Sequence, residues 1–203
     1  TELIFIRHGE TDSNARGLLH GRTDIPLTPS GRKQAVRVAH RIQQMGNVNS
    51  IYTSPLQRAW ATANEIGKRI GIEPVRDPRL VEFDFGDLEG FPFDDLQAHY
   101  PDLYFNMVDP SGFDVPFPNG ESRKALHNRV TQAIDRVIEQ NHTGRTIIVA
   151  HLVVIGAAVA HLTTGDPLDV AQYLVSNCSV THLELNGSGP ADIHSLNDTS
   201  HLE

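Results

Sequence analysis

The chain has almost no cysteine: one residue, Cys178, in 203. A lone cysteine cannot close an internal disulfide. That excludes a disulfide-stapled fold and points to a reducing cytoplasm, with Cys178 as a small buried hydrophobe. Long apolar runs are missing as well. Residues 3–6 make too short a run for a signal-peptide core and lead straight into charge, so no leader is expected. The stretch 147–162 is broken by His151 and is shorter than a membrane span, so no membrane partner is expected. Positive charge is in deficit, with a formal net charge of −8. This speaks against a nucleic-acid partner, which would need a basic stripe to neutralise phosphates. A small anion can still be bound where arginines gather in one cleft.

What is present suits an ordinary globular chain, 39% apolar and 21% charged, expected to form one domain over residues 1–203. Leu3-Ile4-Phe5-Ile6 is a continuous apolar run ending in Arg7-His8-Gly9. Such a run predicts a strand buried on both faces, as in a parallel sheet. Thr28 and Pro29 read as N-cap and first residue of a helix from about 29 to 45, with Ala35, Val38, Ala39 and Ile42 at helical spacing. Ser50–Thr53 predicts a second strand, and Ala59, Ala63, Ile66 and Ile70 a helix that Gly71 ends. A further helix is expected within 121–140, a β-branched strand at Thr146–Ala150, a buried helix at Leu152–Leu162 and closing strands near 180–185 and 192–196. Alternating strands and helices imply a three-layer α/β/α sandwich on a largely parallel sheet. Residues of about 83–120 interrupt this pattern with seven of the eight phenylalanines and five prolines. The segment is expected to be a cap over a pocket, the alternative being a satellite cluster on the core edge.

Three predicted strands end alike: the first delivers Arg7 and His8, the second leads to a helix start bearing Arg58, and the third delivers His151. Parallel strands gather their carboxyl ends on one edge, where open α/β sheets bind ligands. These four side chains are therefore expected to converge on one cationic cleft. Guanidinium groups fork two hydrogen bonds onto phosphate oxygens and stay charged, so the cleft suits a phosphoryl group. No metal or cofactor is expected, because the site is positive before a metal arrives. A neutral imidazole there is a nucleophile that forms a phosphohistidine, while neighbouring cations lower its pKa and neutralise charge on the equatorial oxygens. The leaving alkoxide needs a proton. Glu82, beside Phe83, is a candidate whose pKa desolvation raises, although Asp84, Asp87 and Glu89 compete on composition alone.

Five motifs in order carry a family resemblance. They are Arg7-His8-Gly9-Glu10-Thr11 with Asn14, the run from Leu19-His20-Gly21-Arg22 to Thr28, Ser54-Pro55-Leu56-Gln57-Arg58-Ala59, Glu82 before Phe85-Gly86-Asp87-Leu88-Glu89-Gly90, and Ala150-His151. Together they resemble the histidine phosphatase superfamily and, more narrowly, its phosphoglycerate-mutase-like branch, over essentially the whole chain. The resemblance implies that His8 is phosphorylated during turnover. It implies further that Arg7, Arg58, Asn14 and His151 hold the phosphoryl group and that Glu82 shuttles the proton, which selects Glu82 from its acidic neighbours. Gly21 and Arg22 fall where relatives contact substrate from a loop. The implied function is a metal-independent phosphomonoesterase acting on a small phosphorylated metabolite, and a homodimer is compatible with the resemblance because relatives often pair.

Two positions depart from the family pattern. Leu152-Val153 follows the second histidine where glycine is common; the Leu152 backbone N–H still reaches the phosphate if its side chain points elsewhere. Leu88 stands where many relatives carry tryptophan, which alters pocket shape. The acid-phosphatase branch fits poorly, because its Arg-His-Gly-x-Arg-x-Pro and His-Asp signatures are absent. A phosphoglycerate mutase must also grip a second phosphate, and the cap region offers few cations, so mutase is the alternative to phosphatase. The third reading is a non-catalytic phosphate-binding module, although His8, Arg7, Arg58 and His151 are all in place.

Overall fold

The computed structural model describes residues 1–187 and 189–203. In chain order the first half contains β1 (Glu2–Arg7), α1 (Asp12–Ala15), α2 (Pro29–Met45), β2 (Val48–Thr53), α3 (Gln57–Ile70) and β3 (Val75–Arg76). The second contains α4 (Leu96–His99), α5 (Pro101–Val108), α6 (Arg123–Gln140), β4 (Arg145–Ala150), α7 (Leu152–Thr163), β5 (Val180–Glu184) and β6 (Asp192–Asp198). The strands form one mixed sheet in the order β3-β2-β4-β1-β5-β6. β1 to β4 run parallel, while β5 lies antiparallel to both β1 and β6.

Strand geometry sends successive side chains to opposite faces, and β1 and β4 show why their apolar runs are unbroken. Leu3, Phe5, Ile148 and Ala150 enter a cluster shared with α6 and α7. Ile4, Ile6, Ile147 and Val149 enter a second cluster shared with α2 and α3. Helices therefore cover both faces, and each fully buried Leu, Ile or Phe contributes about 1.5–3 kcal/mol of transfer free energy. The result is the expected α/β/α sandwich.

Helix ends follow local chemistry. Thr28 Oγ1 accepts from Gly31 N–H at 2.9 Å with Pro29 in the first helical position, and Ser122 Oγ caps α6 from Ala125 N–H at 3.2 Å. α3 stops at Gly71, whose φ of 77° is the left-handed conformation that glycine adopts without strain. The short elements β3, α1, α4 and α5 had no signature in the sequence, because two to eight residues complete too few periods to register.

Within 83–120, Phe83, Phe85 and Phe117 are buried and pack edge-on or tilted, their centroids 5.0 to 5.8 Å apart, whereas Phe93 and Phe105 are exposed. Phe91 packs against Tyr100 at 5.2 Å. The start of this segment is stitched to residues 17–19 by backbone bonds from Leu19 N–H to Phe91 O (2.8 Å), Gly90 N–H to Leu19 O (2.8 Å) and Phe93 N–H to Gly17 O (3.0 Å). Among the described residues, no helix is long and apolar enough to cross a membrane.

Candidate active site

The parallel ladder sets the first wall of the site. Arg7 pairs in register with Ala150, and Thr53 with Val149. The next residues, His8, His151 and Ser54, therefore emerge side by side at the carboxyl edge. His8 N–H donates to Ala150 O at 3.0 Å and Ser54 N–H to Val149 O at 3.1 Å, extending the ladder by one residue. The imidazoles of His8 and His151 meet edge to face, 5.0 Å between centroids, and both are almost wholly buried.

Their hydrogen bonds fix the tautomers. His8 Nδ1 lies 2.7 Å from Gly9 O, a carbonyl that can only accept, so Nδ1 carries the proton and Nε2 keeps its lone pair. Arg58 Nε donates to His151 Nδ1 at 3.3 Å, so the His151 proton sits on Nε2 and points to Ser54 Oγ at 2.8 Å. Burial, reinforced by Arg58 and Arg7, holds the His8 pKa well below its ordinary 6.5, and burial with Arg58 and His8 does the same for His151. Both rings are neutral at pH 7. Gly9 is required by close approach: a Cβ there would sit 2.5 Å from Gly31 O.

Arg58, on the first turn of α3, is fully buried. Besides His151, its Nη1 donates to Thr23 O at 2.9 Å and its Nη2 to Gly21 O at 2.6 Å. Arg7 is anchored through Nη1 to Val175 O at 2.7 Å. Thr11 caps α1 and Asn14 completes the capping box: its Oδ1 accepts from Thr11 N–H at 3.1 Å, Thr11 Oγ1 at 2.9 Å and Asn177 Nδ2 at 3.2 Å. Asn177 also donates to His8 O at 2.9 Å, tying Asn14 to the end of β1.

The second wall carries Glu82, 5% exposed. Its Oε1 accepts from Phe83 N–H at 2.9 Å and its Oε2 from Val153 N–H at 3.2 Å. Burial raises its pKa above the ordinary carboxylate value, despite these two N–H groups and the charges of Arg58 and Arg7. The acidic rivals are occupied otherwise: Asp84 accepts from Gly86 N–H at 3.0 Å, Asp87 from Asn119 Nδ2 at 3.0 Å, and Glu89 holds the loop around Gly21. Arg22 is exposed and lies 3.9 Å from Asp84 and 3.8 Å from Glu121. Leu152 opens α7 with its side chain against the larger apolar cluster, and the helix-start N–H that reaches Glu82 comes from Val153.

The structure thus brings His8, Arg7, Arg58, His151 and Glu82 into one electrostatic unit, with Asn14 linked to it through Asn177 and Gly21 through Arg58. Sequence reasoning gave no role to Ser54, Asn177 or Arg129. Arg129, on α6, forks onto Glu121 (2.6 and 3.0 Å) and donates to the carbonyls of Arg79, Val81 and Glu82 at 2.6 to 3.0 Å, clamping the segment that presents Glu82. Nothing local in the sequence marks Arg129; Ser54 at least lay inside a recognised motif. Cys178 is fully buried, and burial pushes its thiol pKa up. Among the described residues, no group of three or more His, Cys, Asp or Glu side chains is placed to hold a metal ion.

A three-layer sandwich with two histidines and two arginines at its carboxyl edge defines a phosphoryl-handling α/β protein. The chain belongs to the histidine phosphatase superfamily (branch 1), whose profile matches residues 3–199. It is similar to phosphoglycerate mutase-like protein 4 of Arabidopsis thaliana, 31% identical over 205 residues that cover 100% of this chain and 87% of that one. Among solved structures it resembles the phosphoserine phosphatase of Entamoeba histolytica in complex with 3-phosphoglyceric acid (31% identity, TM-score 0.84, 100% and 99% coverage). It also resembles the alpha-ribazole phosphatase of Shigella flexneri (28% identity, TM-score 0.83, 98% and 96% coverage). Family and neighbours together make it an enzyme of the phosphatase and mutase type.

Proposed function

We propose that the protein is a metal-independent phosphomonoesterase that hydrolyses a small phosphorylated metabolite through a phosphohistidine on His8, within a reducing cytoplasm. The observation that carries this reading is the locked tautomer of His8: the Gly9 carbonyl, 2.7 Å from Nδ1, accepts the Nδ1–H and leaves the Nε2 lone pair free beside Arg58 and Arg7. In the first step Nε2 attacks phosphorus and the bond from phosphorus to the ester oxygen breaks. The proton of Glu82, kept in place by burial, passes to the departing oxygen. The ring gains positive charge as the N–P bond forms, which strengthens its Nδ1–H bond to Gly9 O. In the second step water attacks phosphorus, Glu82 takes its proton, the N–P bond breaks and inorganic phosphate leaves with His8 neutral again. Arg7, Arg58 and the Asn14 amide are assigned to the three non-bridging oxygens, where charge spreads in the transition state, and His151 joins them by turning its Nε2–H from Ser54 Oγ to the phosphoryl group. We assign Gly21, Arg22 and the Leu152 N–H to the rim that meets the substrate.

Release of phosphate from p-nitrophenyl phosphate and a panel of phosphorylated metabolites, with and without a chelator, tests the proposal. Turnover insensitive to the chelator is expected, and strong inhibition by it sinks the metal-free scheme.

The mutase reading draws on the similarity to a phosphoglycerate mutase-like protein. Against it, Arg22 faces Asp84 and Glu121, so a second phosphate would compete with two carboxylates for that cation. Incubation with 3-phosphoglycerate separates the two: phosphate release supports the phosphatase, and accumulation of 2-phosphoglycerate without it supports the mutase.

A further inference from the structure

Glu89 lies outside the catalytic set, yet it organises the loop on which Arg58 rests. Its Oε1 accepts from Gly21 N–H at 3.0 Å and Arg22 N–H at 2.9 Å. Its Oε2 accepts from Thr23 N–H at 3.2 Å and Thr23 Oγ1 at 2.7 Å. The carbonyls of the same loop face the other way: Gly21 O and Thr23 O take the two terminal nitrogens of Arg58. The loop is therefore a relay, with N–H groups on a carboxylate and C=O groups on a guanidinium. It is packed without slack, since a Cβ at Gly21 would fall 1.8 Å from Phe83 O and 2.6 Å from Glu89 Oε1. Burial alone would raise the Glu89 pKa, but the hydrogen bonds from Thr23, Arg22 and Gly21 hold it below the ordinary value, so the carboxylate stays charged at neutral pH.

We propose that Glu89 is a positioning residue for Arg58, aiming the guanidinium at the phosphoryl group through the backbone of Gly21, Arg22 and Thr23. Its neighbour Gly90 donates its N–H to Leu19 O at 2.8 Å, tying this segment to the residues just before the loop. A guanidinium that has lost two carbonyl partners swings among rotamers and holds an oxyanion poorly. The inference rests on the phosphoryl-transfer reading of the site.

The test uses the full chain and orthovanadate as the oxyanion probe, read by calorimetry and by inhibition of p-nitrophenyl phosphate hydrolysis. Glu89→Ala should weaken vanadate binding about tenfold to a hundredfold, the range for a displaced binding group. The isosteric Glu89→Gln should lose less, because one oxygen still accepts. In an Arg58→Lys background, Glu89→Ala should add less than about twofold, since a residue acting through Arg58 has nothing left to position. Should Arg58→Lys fold poorly, the Arg58 Nε–H resonance serves instead and should shift in Glu89→Gln. Vanadate affinity unchanged in both Glu89 variants, with only Tm lowered, overturns the inference, and so do additive losses. A wild-type protein that neither releases phosphate nor binds vanadate overturns the phosphoryl reading itself.

Discussion

The two walls of the site are held by different physics. His8, Ser54 and His151 stand on the ends of neighbouring strands, and the ladder that places them is dictated by alternating apolar side chains in β1, β2 and β4. The opposite wall, from Gly21 to Thr23 and on to Glu82 and Glu89, contains no strand. Charged side chains bonded to backbone hold it instead: Glu89 takes three N–H groups and Arg129 gives to three carbonyls. On the ladder wall a side chain can be removed without moving the backbone, so its loss costs chemistry. On the loop wall the side chains are the scaffold, and their loss costs geometry and stability together.

The largest expected effect lies on the ladder wall. His8→Asn should lower phosphate release by about 10⁴-fold or more, as removal of a nucleophile does elsewhere, with Tm little changed. Trapping with labelled substrate should find no phosphoenzyme, and a phosphoenzyme that survives the substitution reassigns the nucleophile. Glu82→Gln comes next, at about 10²- to 10⁴-fold for loss of a general acid. In kcat/KM, which reports formation of the phosphoenzyme, the loss should be large for alkyl phosphates and small for p-nitrophenyl phosphate, whose phenolate departs without a proton. Burial raises the Glu82 pKa, so kcat/KM for alkyl phosphates should fall as pH rises through that raised value. The limb should vanish in Glu82→Gln; equal losses for both leaving groups would remove Glu82 from the acid role.

The same contrast explains what could be read from the chain before its structure. The ladder wall was legible because its determinants are local: Leu3–Ile6 and Ile147–Ala150 are unbroken apolar runs, and the residues after them are those we assign to the phosphoryl group. Thr28-Pro29 and Gly71 likewise announce helix ends by their own chemistry. On the loop wall, composition left Glu82 level with Asp84, Asp87 and Glu89, and only the family resemblance separated them. Burial and hydrogen bonding now give a physical reason, since Glu82 alone of the four is buried. Arg129 was invisible because its partners lie between 8 and 50 residues away, and no periodicity encodes a contact of that span. The segment 83–120 read as aromatic, but composition could not divide the interior Phe83, Phe85 and Phe117 from the exposed Phe93 and Phe105.

Arg129→Met breaks the loop wall where it is best buttressed. Its side chain and that of Glu121 are 17% and 14% exposed, so the substitution leaves three carbonyls without that donor and Glu121 with only Asp84 N–H at 2.9 Å and Arg22 at 3.8 Å. A cost of about 2–4 kcal/mol is expected, within the range for breaking a shielded pair. Displacement of Glu82 should lower kcat by about tenfold as well. Chemical denaturation and turnover check both at once. Lost turnover with unchanged stability would show that the wall has another support.

The smallest effect is a pH dependence of stability to which both walls contribute. His8 and His151 on the ladder wall have folded pKa values well below 6.5, and His20 on the loop wall is lowered to about 4 by burial and Arg58. Groups depressed in the folded state stabilise it above the unfolded pKa. As pH falls below about 6.5 the unfolded chain takes up protons that the folded chain refuses, and Tm declines. One such group changes stability by at most about 1.4 kcal/mol per pH unit. Tm measured from pH 7.5 to 5 should therefore slope downward toward acid, and His8→Asn and His20→Gln should each flatten it, because both rings stay neutral in the folded chain across this range. A steeper slope in His8→Asn, or identical slopes in all three proteins, would mean that these rings already carry protons in the folded state, and the neutral His8 on which nucleophilic attack depends would be lost with it.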